Sequence, residues 1–166
     1  MASLFSFDIV SDYDRGEMNN VVDQTKRELS ARYDLKSTAA AIDWTDQNKT
    51  SLKISGDNQF HLDSILDIVR KKLATRGQSQ KVLDTSAEPT TSNMVVSQLV
   101  SLKSGLDQDK AKKITSLLRD KMPKLKAQIQ GDSVRISGSK KDELQSAMQL
   151  LNAQDFDFPI SYTNYR

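Results

Sequence analysis

The sequence predicts an α+β fold made of two related halves, each reading strand–helix–strand–strand–helix–strand. Three observations carry this. Ser51–Val69 (SLKISGDNQFHLDSILDIV) aligns with Ser133–Leu151 (SVRISGSKKDELQSAMQLL) at a constant offset of 82 residues. The same order of apolar patterns recurs on either side of the middle of the chain. Between the halves, Asp84–Asn93 (DTSAEPTTSN) has the composition of a turn or linker.

In the aligned segments Ser51/Ser133, Ile54/Ile136, Ser55/Ser137, Gly56/Gly138, Leu62/Leu144 and Ser64/Ser146 are identical. Both copies read as a short strand, a glycine-containing turn and an amphipathic helix. The first half opens with a strand over Leu4–Val10, where Phe5, Phe7 and Ile9 alternate with Ser6 and Asp8. Met18, Val21, Val22, Thr25 and Leu29 then recur at helical spacing. Thr38–Thr45 and Thr50–Ser55 are strand-like and joined by a polar turn, Asp46-Gln47-Asn48-Lys49. Leu62, Ile65, Leu66, Val69 and Leu73 form a second helical stripe, with Gly77 placed to end it.

The second half repeats this order. Met94–Lys103 reads as a strand, and a helix follows with Ala111, Ile114, Leu117, Leu118 and Met122 on one face. Leu125–Gln130 and Ser133–Ser137 form a hairpin across Gly131-Asp132, a two-residue turn that suits strand twist. A helix carrying Leu144, Ala147, Met148 and Leu151 precedes a last strand, Pro159–Tyr165. This is the ferredoxin-like (βαββαβ) order, twice in tandem. It divides the chain into residues 1–90 and 91–166. The strand after Val82 is poorly marked, which leaves open the exchange of a terminal strand between halves.

Composition bounds the function. The net charge is only +2, so the chain does not have the charge of a strong nucleic-acid or membrane-surface binder. Residues 1–90 hold 12 Lys/Arg against 14 Asp/Glu and residues 91–166 hold 12 against 8, balances of −2 and +4. An anionic ligand is therefore better sought in the second half, although a solvated surface would show the same bias. There is no cysteine, which excludes disulfides, thiolate metal sites and cysteine nucleophiles. Met1–Val10 does not read as a signal peptide, and no apolar run approaches the roughly 20 residues of a membrane helix. Cytoplasm is the expected compartment.

The sequence offers no reaction. His61 is the only histidine and aligns with Glu143 at the start of a helix, a surface or capping position. No serine–base pair, metal-ligand spacing or paired acid stands out, and no phosphate-binding glycine loop is present, so neither catalysis nor a cofactor is expected. Asp8, Asp12, Asp14 and Glu17 could gather a cation, but carboxylates also belong at a helix start. Gly56 and Gly138 sit at equivalent strand-to-helix turns. Such turns can hold a phosphate on backbone N–H groups, or the glycine serves the turn alone.

The strongest candidate surface lies on the second half. In Leu125–Gln130 the apolar Leu125, Ala127 and Ile129 alternate with Lys126, Gln128 and Gln130, so one face packs and the other points out. Arg135 joins the outward set, and Lys103 is placed with it. Cations and amides on one face suit phosphate and base edges respectively. An ordinary solvated or domain-facing sheet would carry the same pattern. Arg166, and Lys53 in the first half, are weaker additions. RNA-recognition domains stack bases on central-strand aromatics, and here Phe5 and Phe7 share the core face with Ile9.

Several segments resemble the YajQ family. They are Ser6-Phe7-Asp8-Ile9-Val10-Ser11, Arg32-Tyr33-Asp34-Leu35-Lys36, Leu66-Asp67-Ile68-Val69-Arg70 with Arg76-Gly77, and Lys126–Gly138 (KAQIQGDSVRISG) followed by Lys141-Asp142-Glu143-Leu144-Gln145. The closing Asn164-Tyr165-Arg166 is similar to the family's Asn-Phe-Arg ending. Lys36-Ser37 departs from the family's basic residue followed by glycine. Met122-Pro123 and the apolar Met94–Val100 depart as well.

The resemblance implies tandem ferredoxin-like domains, nucleotide binding without catalysis, and a role as a cyclic di-GMP effector acting through a protein partner. Lys103, Lys126, Arg135 and Arg166 would then meet phosphate, and Gln128 and Gln130 base edges. The alternative is an RNA-associated protein that contacts backbone phosphates.

Overall fold

The computed structural model describes residues 4–166. It is a mixed α/β structure with two sheets and four helices. In chain order the elements are β1 (Phe5–Val10), α1 (Arg15–Ala31), β2 (Ala41–Trp44), β3 (Ser51–Gly56), α2 (Gln59–Thr75), β4 (Leu83–Asp84) and β5 (Thr90–Ser92). Then come β6 (Val95–Leu102), α3 (Gln108–Lys121), β7 (Lys126–Gln130), β8 (Ser133–Gly138), α4 (Lys141–Ala153) and β9 (Ser161–Thr163).

Packing divides the chain into two compact units, and not at residue 90. One unit is Tyr13–Lys103; the other joins the segment up to Asp12 with Ser104–Arg166. The difference from the 1–90 and 91–166 division lies in the strand that opens each half. β1 pairs with β8 and β9, and β6 pairs with β3 and β4, so each opening strand lies in the sheet of the other half. The exchanged strands are thus β1 and β6, not the strand after Val82.

In the Tyr13–Lys103 unit the sheet order is β2-β3-β6-β4, with β5 also pairing β6. Its core takes the expected stripes: Met18, Val21, Val22, Thr25 and Leu29 of α1 are buried, as are Leu62, Ile65, Leu66, Val69 and Leu73 of α2. Asp14 caps α1 by accepting from Glu17 N at 3.0 Å, and Asn58 caps α2 by accepting from His61 N at 2.9 Å. Gly77 ends α2 at φ +71, with Gln78 N donating to Leu73 O and Gly77 N to Ala74 O. That pair of bonds is the Schellman closure a left-handed glycine permits.

In the other unit all four strands are antiparallel in the order β7-β8-β1-β9. Phe7, Ile9, Val134 and Ile136 are fully buried, in one cluster with Ile114 and Leu118 of α3 and Ala147 and Leu151 of α4. Side chains alternate across a strand, so the remaining parity of β1, β7 and β8 forms the sheet's opposite, polar face. The β7–β8 hairpin turns at Gly131-Asp132 as expected, with Gly131 at φ +61. No helix among the described residues is long and apolar enough to cross a membrane.

Candidate functional site

Strand register lays the polar face of the β7-β8-β1-β9 sheet out in rows. One row runs Lys126 opposite Ser137 and Ser137 opposite Ser6. It continues to Arg166, whose N donates to Ser6 O at 2.9 Å while Ser6 N donates to Arg166 O at 3.2 Å. The next row is Gln128, Arg135, Asp8 and Thr163. Residues directly opposite on adjacent strands share a face, so Lys126, Gln128 and Arg135 lie together with Ser6, Asp8 and Arg166. Gln130 follows on the same parity of β7, opposite Ser133.

The last row depends on a bulge. Thr163 faces Asp8 and Arg166 faces Ser6, so Asn164 and Tyr165 together oppose the single residue Phe7. Asn164 absorbs the extra length in the left-handed region at φ +57, a conformation asparagine tolerates. The kink brings its amide onto Asp8, Nδ2 to Oδ2 at 3.0 Å.

Arg135 is not the unpartnered cation expected from the sequence. Its Nε donates to Asp8 Oδ1 at 2.9 Å and its Nη2 to Asp8 Oδ2 at 3.3 Å. Asp8 is buried, and the hydrogen-bonded Arg135 holds its carboxyl below the usual range against the opposing effect of burial, with Asn164 and the charge of Arg166 adding to Arg135. The same partnership raises the Arg135 pKa. Arg135 therefore braces the face, and the cations on its first row are Lys126 and Arg166, both exposed. Between them stand only Ser137 and Ser6. The row crosses three strand spacings, about 14 Å, and long side chains at its ends can converge over the serines.

Other expected residues fall elsewhere. Lys103 follows β6 and belongs to the Tyr13–Lys103 unit, where its N donates to Val82 O at 2.7 Å. Lys53 lies in that unit too, opposite Asp43 and Leu99. The acidic cluster is dispersed: Asp8 grips Arg135, Asp12 accepts from Ser104 at 3.1 Å, Asp14 caps α1, and Glu17 pairs with Arg76 at 2.6 Å. Among the described residues no group of His, Asp and Glu could hold a metal ion. At the Gly56 turn, Asp57 N already donates to His61 Nδ1 at 3.0 Å, and a Cβ on Gly56 would stand 2.4 Å from the His61 Cβ. Glycine there makes room for the capping histidine.

A family model described as "Nucleotide-binding protein YajQ-like" matches residues 5–166. The chain belongs to the YajQ family. Relatives include a "Nucleotide-binding protein" of Trichodesmium erythraeum, 45% identical over 166 residues that cover 100% of both chains. A protein of the same name in Chloroherpeton thalassium is 43% identical over 166 residues, again 100% of each chain. Another, from a Nocardioides species, is 44% identical over 162 residues, 97% of this chain and 98% of its own.

Within this YajQ-family chain, reading the sequence alone misses Asp8 and Asn164 as members of the polar face. Alternation with Phe7 and Ile9 did put Asp8 on the outward parity. What it could not supply was the neighbour, because β1 crosses to the sheet of β8.

Proposed function

We propose that this chain is a non-catalytic nucleotide-binding protein whose ligand phosphates lie across the row Lys126–Ser137–Ser6–Arg166. One observation carries the reading: two exposed cations flank two small hydroxyl residues on one face, beside an arginine already neutralised by Asp8. Ammonium and guanidinium groups at the ends suit a ligand with more than one phosphate, and Gln128 and Gln130 on the same face supply amides for polar edges. Family membership supports the reading, since the relatives are named for nucleotide binding and for no reaction.

The finer form of the proposal is a cyclic dinucleotide such as cyclic di-GMP, with a protein partner that senses the bound face. Both units are read as ferredoxin-like. The orders β9-β1-β8-β7 and β4-β6-β3-β2 support this, each being the arrangement of a βαββαβ fold whose first strand comes from the other half of the chain.

Titration calorimetry with cyclic di-GMP, GTP, ATP and a short RNA, at low and moderate salt, tests the proposal on the wild type, Lys126→Ala and Arg166→Ala. Nucleotide binding that weakens about tenfold in each variant is expected, since charge-assisted bonds to phosphate contribute roughly 1.5–3 kcal/mol. No nucleotide binding, or full affinity in both variants, defeats it. Binding of RNA alone with a steep salt dependence would favour the RNA-associated alternative.

A further inference from the structure

Beside Arg166 the β1–α4 side of the same unit holds a groove of about 340 Å³. Its walls are Phe5 of β1, Leu144 and Met148 of α4, and Tyr165. Tyr165 is 64% exposed, a large ring left uncovered next to apolar neighbours. Polar residues line it as well: Ser6, Lys141, Gln145 and Arg166. Lys141 Nζ stands 5.1 Å from the Phe5 ring centroid, so one cation is already poised over an aromatic face. Lys141, Gln145 and Met148 recur at helical spacing, which puts them on one side of α4. No carboxylate side chain is among the lining residues.

The combination is specific. An apolar slot of a few hundred Å³ with a few convergent polar groups is the usual form of a small-molecule site. Aromatic walls suit a flat ring, an amide suits its hydrogen-bonding edge, and cations with no acidic side chain among the lining suit an attached anion. A second groove, about 610 Å³ along the free edge of β2, lacks these features. Its lining holds no aromatic residue, and its Lys26 is paired with Asp43 at 3.0 Å.

We propose that the Phe5–Tyr165 groove on the helix side of β1 seats the base of the nucleotide, with Arg166, at the sheet edge beyond β9, shared between that groove and the phosphate row on the opposite face. This assignment rests on the nucleotide-binding reading above. Tyr165 stacks on the base, Gln145 meets its edge, and Lys141 and Arg166 bring the first phosphate to the mouth of the groove.

The test uses exposed residues, so that folding is preserved: Tyr165→Ala removes the stacking wall and Gln145→Trp fills the groove from its rim. Calorimetry compares cyclic di-GMP and GTP with inorganic tripolyphosphate, which has no base. Each variant is expected to bind the nucleotides about tenfold more weakly, as loss of one base–aromatic stack implies. Tripolyphosphate affinity should be unchanged in both variants and should fall in Lys126→Ala. Wild-type nucleotide affinity in Tyr165→Ala and Gln145→Trp, together with loss in Lys126→Ala, overturns the groove and leaves the phosphate row standing. An equal fall in tripolyphosphate affinity in the groove variants overturns it as well. Absence of any nucleotide binding by the wild type removes both readings together.

Discussion

Arg135 on β8 grips Asp8 on β1 through two hydrogen bonds of 2.9 and 3.3 Å, across 127 residues of sequence. The pair fastens an opening strand to a sheet otherwise built from the far end of the chain. Asn164 closes the arrangement from β9's side, so three strands meet on one carboxylate.

This contact predicts that Arg135→Ala weakens the fold before it weakens any ligand. Removing Arg135 leaves the buried Asp8 carboxylate with Asn164 alone, and removing Asp8 strips Arg135 of its carboxylate, so each single variant should be less stable than the wild type. Urea denaturation of Arg135→Ala, Asp8→Ala and the double variant measures the loss. The double variant should cost less than the sum of the singles, because each single already breaks the same contact. Additive losses would mean that the two side chains act independently.

The pair also sets a pH dependence. The Asp8 pKa is lowered in the folded state, first by its hydrogen bond to Arg135. Its contribution is therefore complete above the unfolded carboxylate pKa of about 3.9 and is lost as pH falls through the lower folded value. Denaturation midpoints taken downward from pH 6 should fall on the acid side, and less steeply in Asp8→Asn than in the wild type. Identical acid limbs would remove Asp8 as a contributor.

Two equivalent glycines should respond differently to the same change. A Cβ on Gly56 would lie 2.4 Å from the Cβ of His61, an atom fixed to the helix backbone. On Gly138 it would lie 2.6 Å from Leu125 Cδ2, the far end of a flexible side chain. Gly56→Ala should therefore destabilise by about 2–3 kcal/mol and Gly138→Ala by about 1 kcal/mol or less. Thermal melts of both variants decide between this steric account and a phosphate-cradling role, which would alter ligand affinity and spare stability.

The helices were legible because each presents a 3.6-residue apolar stripe, and the stripes of Met18 to Leu29 and Leu62 to Leu73 are buried as that spacing requires. The hairpin at Gly131-Asp132 was legible from its turn chemistry. The exchange of β1 and β6 was not. Both strands alternate apolar and polar residues, and alternation says which side chains point inward without naming the sheet that receives them. From that gap follow the misplacement of Lys103, which travels with β6, and the missed partner of Arg135, whose carboxylate arrives on β1 while Arg135 itself lies on the expected face. Lys126, Gln128 and Gln130 were placed correctly relative to one another because a single strand fixes their common face.

The β5–β6 hairpin carries a last prediction in its turn. Asn93 and Met94 both sit at positive φ, 51° and 65°, as a two-residue turn matched to strand twist demands. Asparagine accepts this conformation, but methionine is held there against its Cβ. The left-handed region costs a side chain roughly 1–2 kcal/mol, while glycine loses part of that advantage through its freer unfolded chain. Met94 is 89% exposed, so its side chain returns little packing energy. Met94→Gly should raise stability by about 0.5–1 kcal/mol. In a chain of this length that is a rise of about 1–4 °C in the melting midpoint. A lower midpoint would show that the exposed methionine is held by packing that its accessibility does not reveal.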